Sequence, residues 1–294
     1  MSGSPSVQLV ASPPTLPVRA DDAHKGDCGR VLVVAGSRGM SGAACLAGTA
    51  ALRGGAGLVT VAVPEGILPI VAVYEPSYMT LALPEDSHGR IRTGAMARLN
   101  EALSSQSAVA IGPGLGQSAG LLDLVGELYT SSPLPLVVDA DALNLLAKRA
   151  YLLTRLEGEA PRILTPHPGE FARLTGLDTT VIQQDRHRYA IEFAQKHRVV
   201  LLLKGRETII TDGVRLAINT TGNSGLATGG AGDVLTGLIA SLLAQGMAPL
   251  DAAHLGAHVH GVAGDLAAEE FSKPGMIASD LLHFLGRAWC ELGH

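Results

Sequence analysis

Apolar runs alternating with stretches of helical period leave this chain few folds to choose from. Residues 31–36 (VLVVAG) are continuously apolar, as a strand buried on both faces requires, and a helix of small residues follows at 42–52. Strands follow at 58–64 and 78–83, then a helix at 93–103. A strand at 108–116 runs out into a glycine loop, with a helix from Ser118. Residues 136–146 read as a strand that stops at Asp139 and passes straight into a helix. Residues 163–176 give a strand, a proline-stiffened turn and a short helix. A long amphipathic helix at 180–197 precedes a strand at 199–205, and a hairpin turns around Asp212 and Gly213. The remainder reads as helices after Asp233, at 249–270 and at 279–291.

Strands joined through helices pair in parallel, with helices on both faces, so the expected fold is a three-layer α/β/α sandwich around a mostly parallel sheet. In such sheets ligands bind beyond the carboxyl ends of the strands. The unusual residues all follow strands: Gly36 to Gly42, Gly112 to Gly116, Asp139 to Asn144, His167 and Lys204. They are expected on one rim. Residues 1–20, rich in Ser and Pro and without period, read as a flexible arm, leaving 21–294 as one domain.

The stretch 219–246 (NTTGNSGLATGGAGDVLTGLIASLLAQG) carries Gly222, Gly225, Gly229, Gly230 and Gly232 just ahead of Asp233 and an apolar helix. A glycine turn feeding a helix N-terminus is an anion site, because the first N–H groups lack intrahelical partners and the dipole is positive there. The turn through Gly230, Ala231 and Gly232 is therefore the expected anion hole. Asp233 falls in the first helical turn, where the same field favours its ionised form. An ionised carboxylate beside a bound phosphate suits a general base that takes a proton from a hydroxyl.

Net charge is −5, and no run of Lys and Arg occurs, which disfavours nucleic acid or an anionic membrane as partner. Cys28, Cys45 and Cys290 are widely spaced and form no CxxC, as in a reducing compartment. No signal-like start or membrane-length apolar run is present, so a cytoplasmic protein is expected. GxxxxGK[ST] is missing, which disfavours a P-loop, and GPGLG alone is a weak dinucleotide signal. Asp139 and Asp141 offer oxygens to Mg²⁺, although for Asp141 helix capping fits better. His167 lies between Pro166 and Pro168, which aim its ring. Lys204 ends an apolar strand where a phosphate can meet a point charge, and alone it fits an ordinary strand-end lysine equally well. His254, His258 and His260 read as facing solvent or a subunit contact rather than a metal.

KGDCGRVLVVAGSRGMSGAA, IGPGLG, VVDADALNLL, ILTPHPGEFARL, LLLKGRETII and GNSGLATGGAGDVLTGLIA occur in this order. Together they resemble the ADP- or ATP-dependent NAD(P)H-hydrate dehydratase family, which has a ribokinase-like fold. Ala231 departs from the Ser or Thr common there. The resemblance implies repair of the 6-hydroxy hydrates NADHX and NADPHX with ADP, or ATP, as co-substrate, and with Mg²⁺ as cofactor. It places the adenine nucleotide on Lys204, Gly205, Arg206, Glu207, Thr208 and Gly232. It places the hydrate on Ala43, Gly114, His167 and Asp233, with Asp139 and Asn144 as further candidates. It also implies a homotetramer, and a stand-alone enzyme served by a separate epimerase. The competing reading is a kinase of the same fold that phosphorylates a vitamin precursor; a non-enzymatic nucleotide sensor is the third.

Overall fold

The computed structural model describes residues 7–294. Its strands are β1 (Gln8–Val10), β2 (Arg30–Val34), β3 (Leu58–Pro64), β4 (Met79–Leu83) and β5 (Ala108–Ile111), followed by β6 (Leu136–Val138), β7 (Arg162–Leu164), β8 (Val200–Leu203), β9 (Thr208–Thr211) and β10 (Arg215–Asn219). They form one sheet in the order β1-β10-β9-β8-β7-β6-β5-β2-β3-β4. From β8 across to β4 every pairing is parallel. Only β9 runs antiparallel to its neighbours β8 and β10, because the expected hairpin joins β9 to β10.

The helices are α1 (Ser41–Arg53), α2 (Leu68–Tyr74), α3 (Met96–Leu103), α4 (Ala119–Ser131), α5 (Ala140–Ala147) and α6 (Pro168–Thr175). The chain continues through α7 (Thr179–Gln184), α8 (Arg186–His197), α9 (Ala231–Ala244), α10 (Pro249–Phe271) and α11 (Ala278–Glu291). Alternate strand residues feed opposite layers, as the pleat demands. Val31, Val33, Ala110, Val137, Ile163 and Leu202 pack under α1, α9, α10 and α11. Leu32, Val34, Val109, Val138, Leu164 and Leu203 pack against Leu121, Leu143, Phe171 and Phe193 of the other layer. Each large side chain buried in this way contributes about 1.5–3 kcal/mol. The fold is the expected three-layer sandwich with a mostly parallel sheet.

Three details differ from the sequence reading. Part of the expected arm is structured: Gln8–Val10 pairs parallel with β10 from Arg215 to Ala217, extending the sheet edge. The first six residues of that arm lie outside the described residues. The helix expected over 180–197 is two helices. Asp185 leaves helical geometry at φ −153°, and its carboxylate accepts the N–H of Arg188 at 3.2 Å, capping α8. Residues 68–74 form α2, whose short period was not read from the sequence.

Candidate active site at the carboxyl rim of the sheet

Gly36, Gly112, Asp139, His167 and Lys204 follow β2, β5, β6, β7 and β8, five parallel strands that lie side by side. They therefore share one rim, as expected. The start of α9 arrives at the same rim. Gly230 makes the turn into it with φ +94°, a left-handed geometry open to glycine at little cost. Two residues later α9 passes directly over a buried ion pair: a Cβ on Gly232 would stand 3.2 Å from Lys204 Nζ and 3.6 Å from Asp139 Oδ2. Backbone strain collects nearby. Ala140 takes φ +49° where β6 turns into α5, and Glu207 takes φ +55° in the turn after Lys204.

Asp139 is 1% exposed, and both of its oxygens are engaged. Lys204 Nζ donates to Oδ1 at 2.8 Å, and the Thr236 hydroxyl donates to Oδ2 at 2.8 Å. Lys204 also lies 3.9 Å from Glu170. Burial pulls the lysine's pKa down, but Asp139 and Glu170 outweigh it and leave the ammonium favoured. Glu170 is pushed up, chiefly by its own burial.

Asp233 departs from the expectation that the helix field would hold it ionised. Burial and then the charge of Asp139 push its pKa up to about 7, with Asp141 and Glu170 adding to the rise and Lys204 opposing it. Desolvation of the charged form exceeds the favourable field. His167 caps α6: its Nδ1 accepts the N–H of Gly169 at 3.0 Å, and its backbone N–H donates to Glu170 at 2.8 Å. Burial and the cations Lys204 and Arg173 hold this ring neutral, below its ordinary pKa.

A cavity of about 850 Å³ opens beside this group, lined by Lys204, Gly205, Arg206, Glu207, Thr208, Ala231 and Gly232. The expected nucleotide residues thus come together. Arg186 pins their turn from behind, donating to the carbonyls of Arg206 at 2.7 Å and of Leu203 and Lys204 at 3.2 Å. In the expected anion hole the N–H of Ala231 turns to the carbonyl of Thr228 at 3.4 Å. Ala43 and Gly114 adjoin: a Cβ on Gly114 would lie 2.8 Å from that of Ala43.

Asn144 is not grouped with Asp233. Its Oδ1 accepts from Arg173 at 2.9 Å, and it faces a second cavity with Gln117, Ala147, Lys148 and Arg173. The suggestion that Asp139 and Asp141 hold Mg²⁺ is not supported by their bonding. Asp139 is taken by Lys204 and Thr236, and Asp141 accepts the N–H of Gly116 at 2.8 Å, fastening the GPGLG loop. Among the described residues, no group of three metal-ligating side chains forms. His254 and His260 are buried rather than outward-facing, and His260 Nε2 donates to the carbonyl of Ala231 at 2.9 Å. Thr236, Glu170, His260 and Arg186 were missed from the sequence. Only Glu170, three residues after His167, carried a signal: the spacing of a capping box.

The profile of the NAD(P)H-hydrate dehydratase family matches residues 31–287. The chain belongs to that family. Among its relatives, a bifunctional NAD(P)H-hydrate repair enzyme of Moorella thermoacetica is 50% identical over 92% of this chain and 51% of its own length. The chain thus spans about half the length of that curated relative. An ADP-dependent (S)-NAD(P)H-hydrate dehydratase of Bacillus subtilis is 38% identical over 94% of both chains. A crystal structure of the ADP/ATP-dependent enzyme from B. subtilis, co-crystallised with ATP and Mg²⁺, superposes with a TM-score of 0.81 at 34% identity, covering 94% of each chain. The dehydratase fold therefore extends over nearly the whole of the described chain.

Proposed function

We propose that this chain is a nicotinamide-repair lyase that dehydrates (S)-NADHX and (S)-NADPHX to NADH and NADPH, consuming ADP and releasing AMP and phosphate. Residues 21–294 act as its catalytic domain. One observation carries the reading: a desolvated carboxylate, Asp233, lies in the first turn of a helix whose start borders a nucleotide-sized cavity beside Lys204.

Hydroxide is a poor leaving group, so the 6-hydroxyl of the hydrate must be activated. Asp233 takes its proton. The oxygen then attacks the terminal phosphorus of ADP, and the bond from that phosphorus to AMP breaks. The amides of Gly230 and Gly232 at the start of α9 meet the charge on the transferred group, and Lys204 adds a fixed cation. The ring nitrogen's lone pair next expels phosphate from C6, and loss of the C5 proton restores the dihydropyridine. Lys204 to Thr208 hold the adenine nucleotide, and Ala43, Gly114 and His167 hold the hydrate. Among the described residues no three carboxylate, histidine or cysteine side chains come together to hold Mg²⁺. The same reading includes a homotetramer, which rests on the family resemblance, and a cytoplasmic location, which rests on the widely spaced cysteines.

Incubation with ADP and hydrated NADH tests the proposal. Recovery of the reduced cofactor's absorbance with one AMP per NADH supports it. A stable phosphorylated product instead identifies a kinase and refutes it.

A further inference from the structure

Ala231 sits between the two glycines of the anion hole, and both of its backbone groups are engaged by the protein. Its N–H turns to the carbonyl of Thr228 at 3.4 Å, and its carbonyl accepts from His260 Nε2 at 2.9 Å. Gly230 and Gly232 differ: among the described residues, neither N–H meets an acceptor. A carbonyl oxygen can only accept, so His260 is held as the Nε2–H tautomer. The ring belongs to α10 and is buried at the wall of the larger cavity. Burial pushes its pKa down to about 4 against the opposing pull of the Ala231 carbonyl, and Lys204 adds to the fall, so the ring is neutral at neutral pH.

The turn has little stiffness of its own, because Gly229, Gly230 and Gly232 surround Ala231 and the first turn of a helix frays readily. Its other end is also fastened to α10. The Asp265 carboxylate accepts the N–H of Gly222 at 2.8 Å and the side-chain amide of Asn223 at 2.9 Å, and the carbonyl of His258 accepts from Thr221 at 3.0 Å. Gly261, next to His260, lets the two segments touch, since a Cβ there would collide with the Thr221 hydroxyl. α10 is thus a fixed base from which His260 reaches Ala231.

A trans peptide is planar, with the carbonyl oxygen and the following N–H on opposite sides. Holding the carbonyl of Ala231 therefore sets the direction of the Gly232 N–H, and drawing on the oxygen polarises the same amide. Gly232 is also the point where α9 comes against Lys204, with a Cβ there 3.2 Å from Nζ.

We propose that His260 is a positioning residue of the anion hole: its hold on the carbonyl of Ala231 aims the N–H of Gly232 at the terminal phosphate of the co-substrate. The inference rests on the dehydratase reading above. His260 itself moves no proton in that reaction.

The test uses the full-length protein with His260→Leu, which keeps much of the volume and loses the donor, and His260→Gln, whose amide can reach the same carbonyl. Melting curves verify folding. Binding of ADP and of adenosine, which carries no phosphate, is measured by calorimetry, and kcat and KM are measured with hydrated NADH. In His260→Leu, kcat and ADP affinity are each expected to fall on the order of 10-fold, with adenosine affinity and the KM for the hydrate held within about 2-fold. His260→Gln should recover most of both losses. Unchanged kcat and ADP affinity in His260→Leu, adenosine weakened as much as ADP, or a glutamine variant no better than leucine overturns the role. If the leucine variant does not fold, NMR of the wild type with isotope-labelled histidine decides. His260 should show the Nε2–H tautomer and a resonance that shifts with ADP and not with adenosine; the Nδ1–H tautomer, or no response to ADP, overturns the role. A wild-type protein that turns over no hydrate sinks the dehydratase reading, while the ADP and adenosine titrations still decide the role of His260.

Discussion

Replacing Asp233 with asparagine should make the ligand-free protein more stable while removing its activity, and the gain should depend on pH. Burial and Asp139 raise this carboxyl from its ordinary 3.8 to about 7 in the native state. Over that interval the unfolded chain is ionised while the native chain keeps the proton, so stability falls as pH rises and levels off above about 7. At about 1.36 kcal/mol per pH unit the full penalty is roughly 4 kcal/mol. Halving it for residual solvent screening leaves about 2 kcal/mol. Asparagine carries no charge to desolvate and is nearly isosteric. Urea unfolding of the two proteins should therefore show the variant ahead by about 2 kcal/mol near pH 8 and by less than half of that near pH 5. In the same variant turnover should drop ~10²–10⁴-fold with nucleotide binding retained. A stability difference that is the same at both pH values would refute the account of Asp233 as a desolvated acid.

Because the base works when ionised, kcat/KM of the wild-type enzyme should climb with pH through about 7 and then level off. Lys204→Met removes the one cation that holds Asp233 down, so the climb should move to higher pH; it should also cost about 3–5 kcal/mol by stranding buried Asp139. Thr236→Val leaves Asp139 Oδ2 without its donor, and a loss of about 1–3 kcal/mol should appear in thermal melts. Gly232→Ala places a methyl 3.2 Å from Lys204 Nζ, where the phosphate must approach; the KM for ADP should rise on the order of 10-fold while stability holds, since alanine favours the helix by about 1 kcal/mol.

Much of the fold was legible because the physics that shapes it is local. A strand buried on both faces must be apolar throughout, so β2, β3, β5 and β8 announce themselves, and the residue where each stops is exposed as an exception. That is how Asp139, His167 and Lys204 could be placed on one rim before their geometry was known. β1 could not be read: three residues with no alternation are a strand only because β10 offers them an edge. Asp185 is equally compatible with a helix surface and a helix break until its carboxylate is seen to accept the N–H of Arg188. Within the site, Thr236 reads as one more small residue in an apolar helix. Its role depends on Asp139, 97 residues away. The state of Asp233 was misjudged for the same reason. Its position in a helix is local, while the burial and the neighbouring carboxylates that decide its pKa are supplied by other strands.

That misjudgement exposes how the site is tuned. One lysine is shared among three carboxylates, and the sharing is unequal: Asp139 receives a hydrogen bond at 2.8 Å, and Glu170 stands 3.9 Å away. Asp233 receives only the remaining field, which does not offset its burial. A carboxylate at its ordinary 3.8 would be a feeble acceptor for an alcohol proton, whereas one near 7 is both a stronger base and still substantially ionised at neutral pH. A phosphate arriving over Gly232 brings further negative charge and should raise the proton affinity of Asp233 again, so the base strengthens when its co-substrate is in place. The positive end of α9, with the amides of Gly230 and Gly232, would offset the charge of that phosphate. On this view the hydrogen bonds that Thr236 and Lys204 give to Asp139 do more than satisfy a buried acid. They keep the lysine's charge committed elsewhere, and so leave Asp233 basic enough to act.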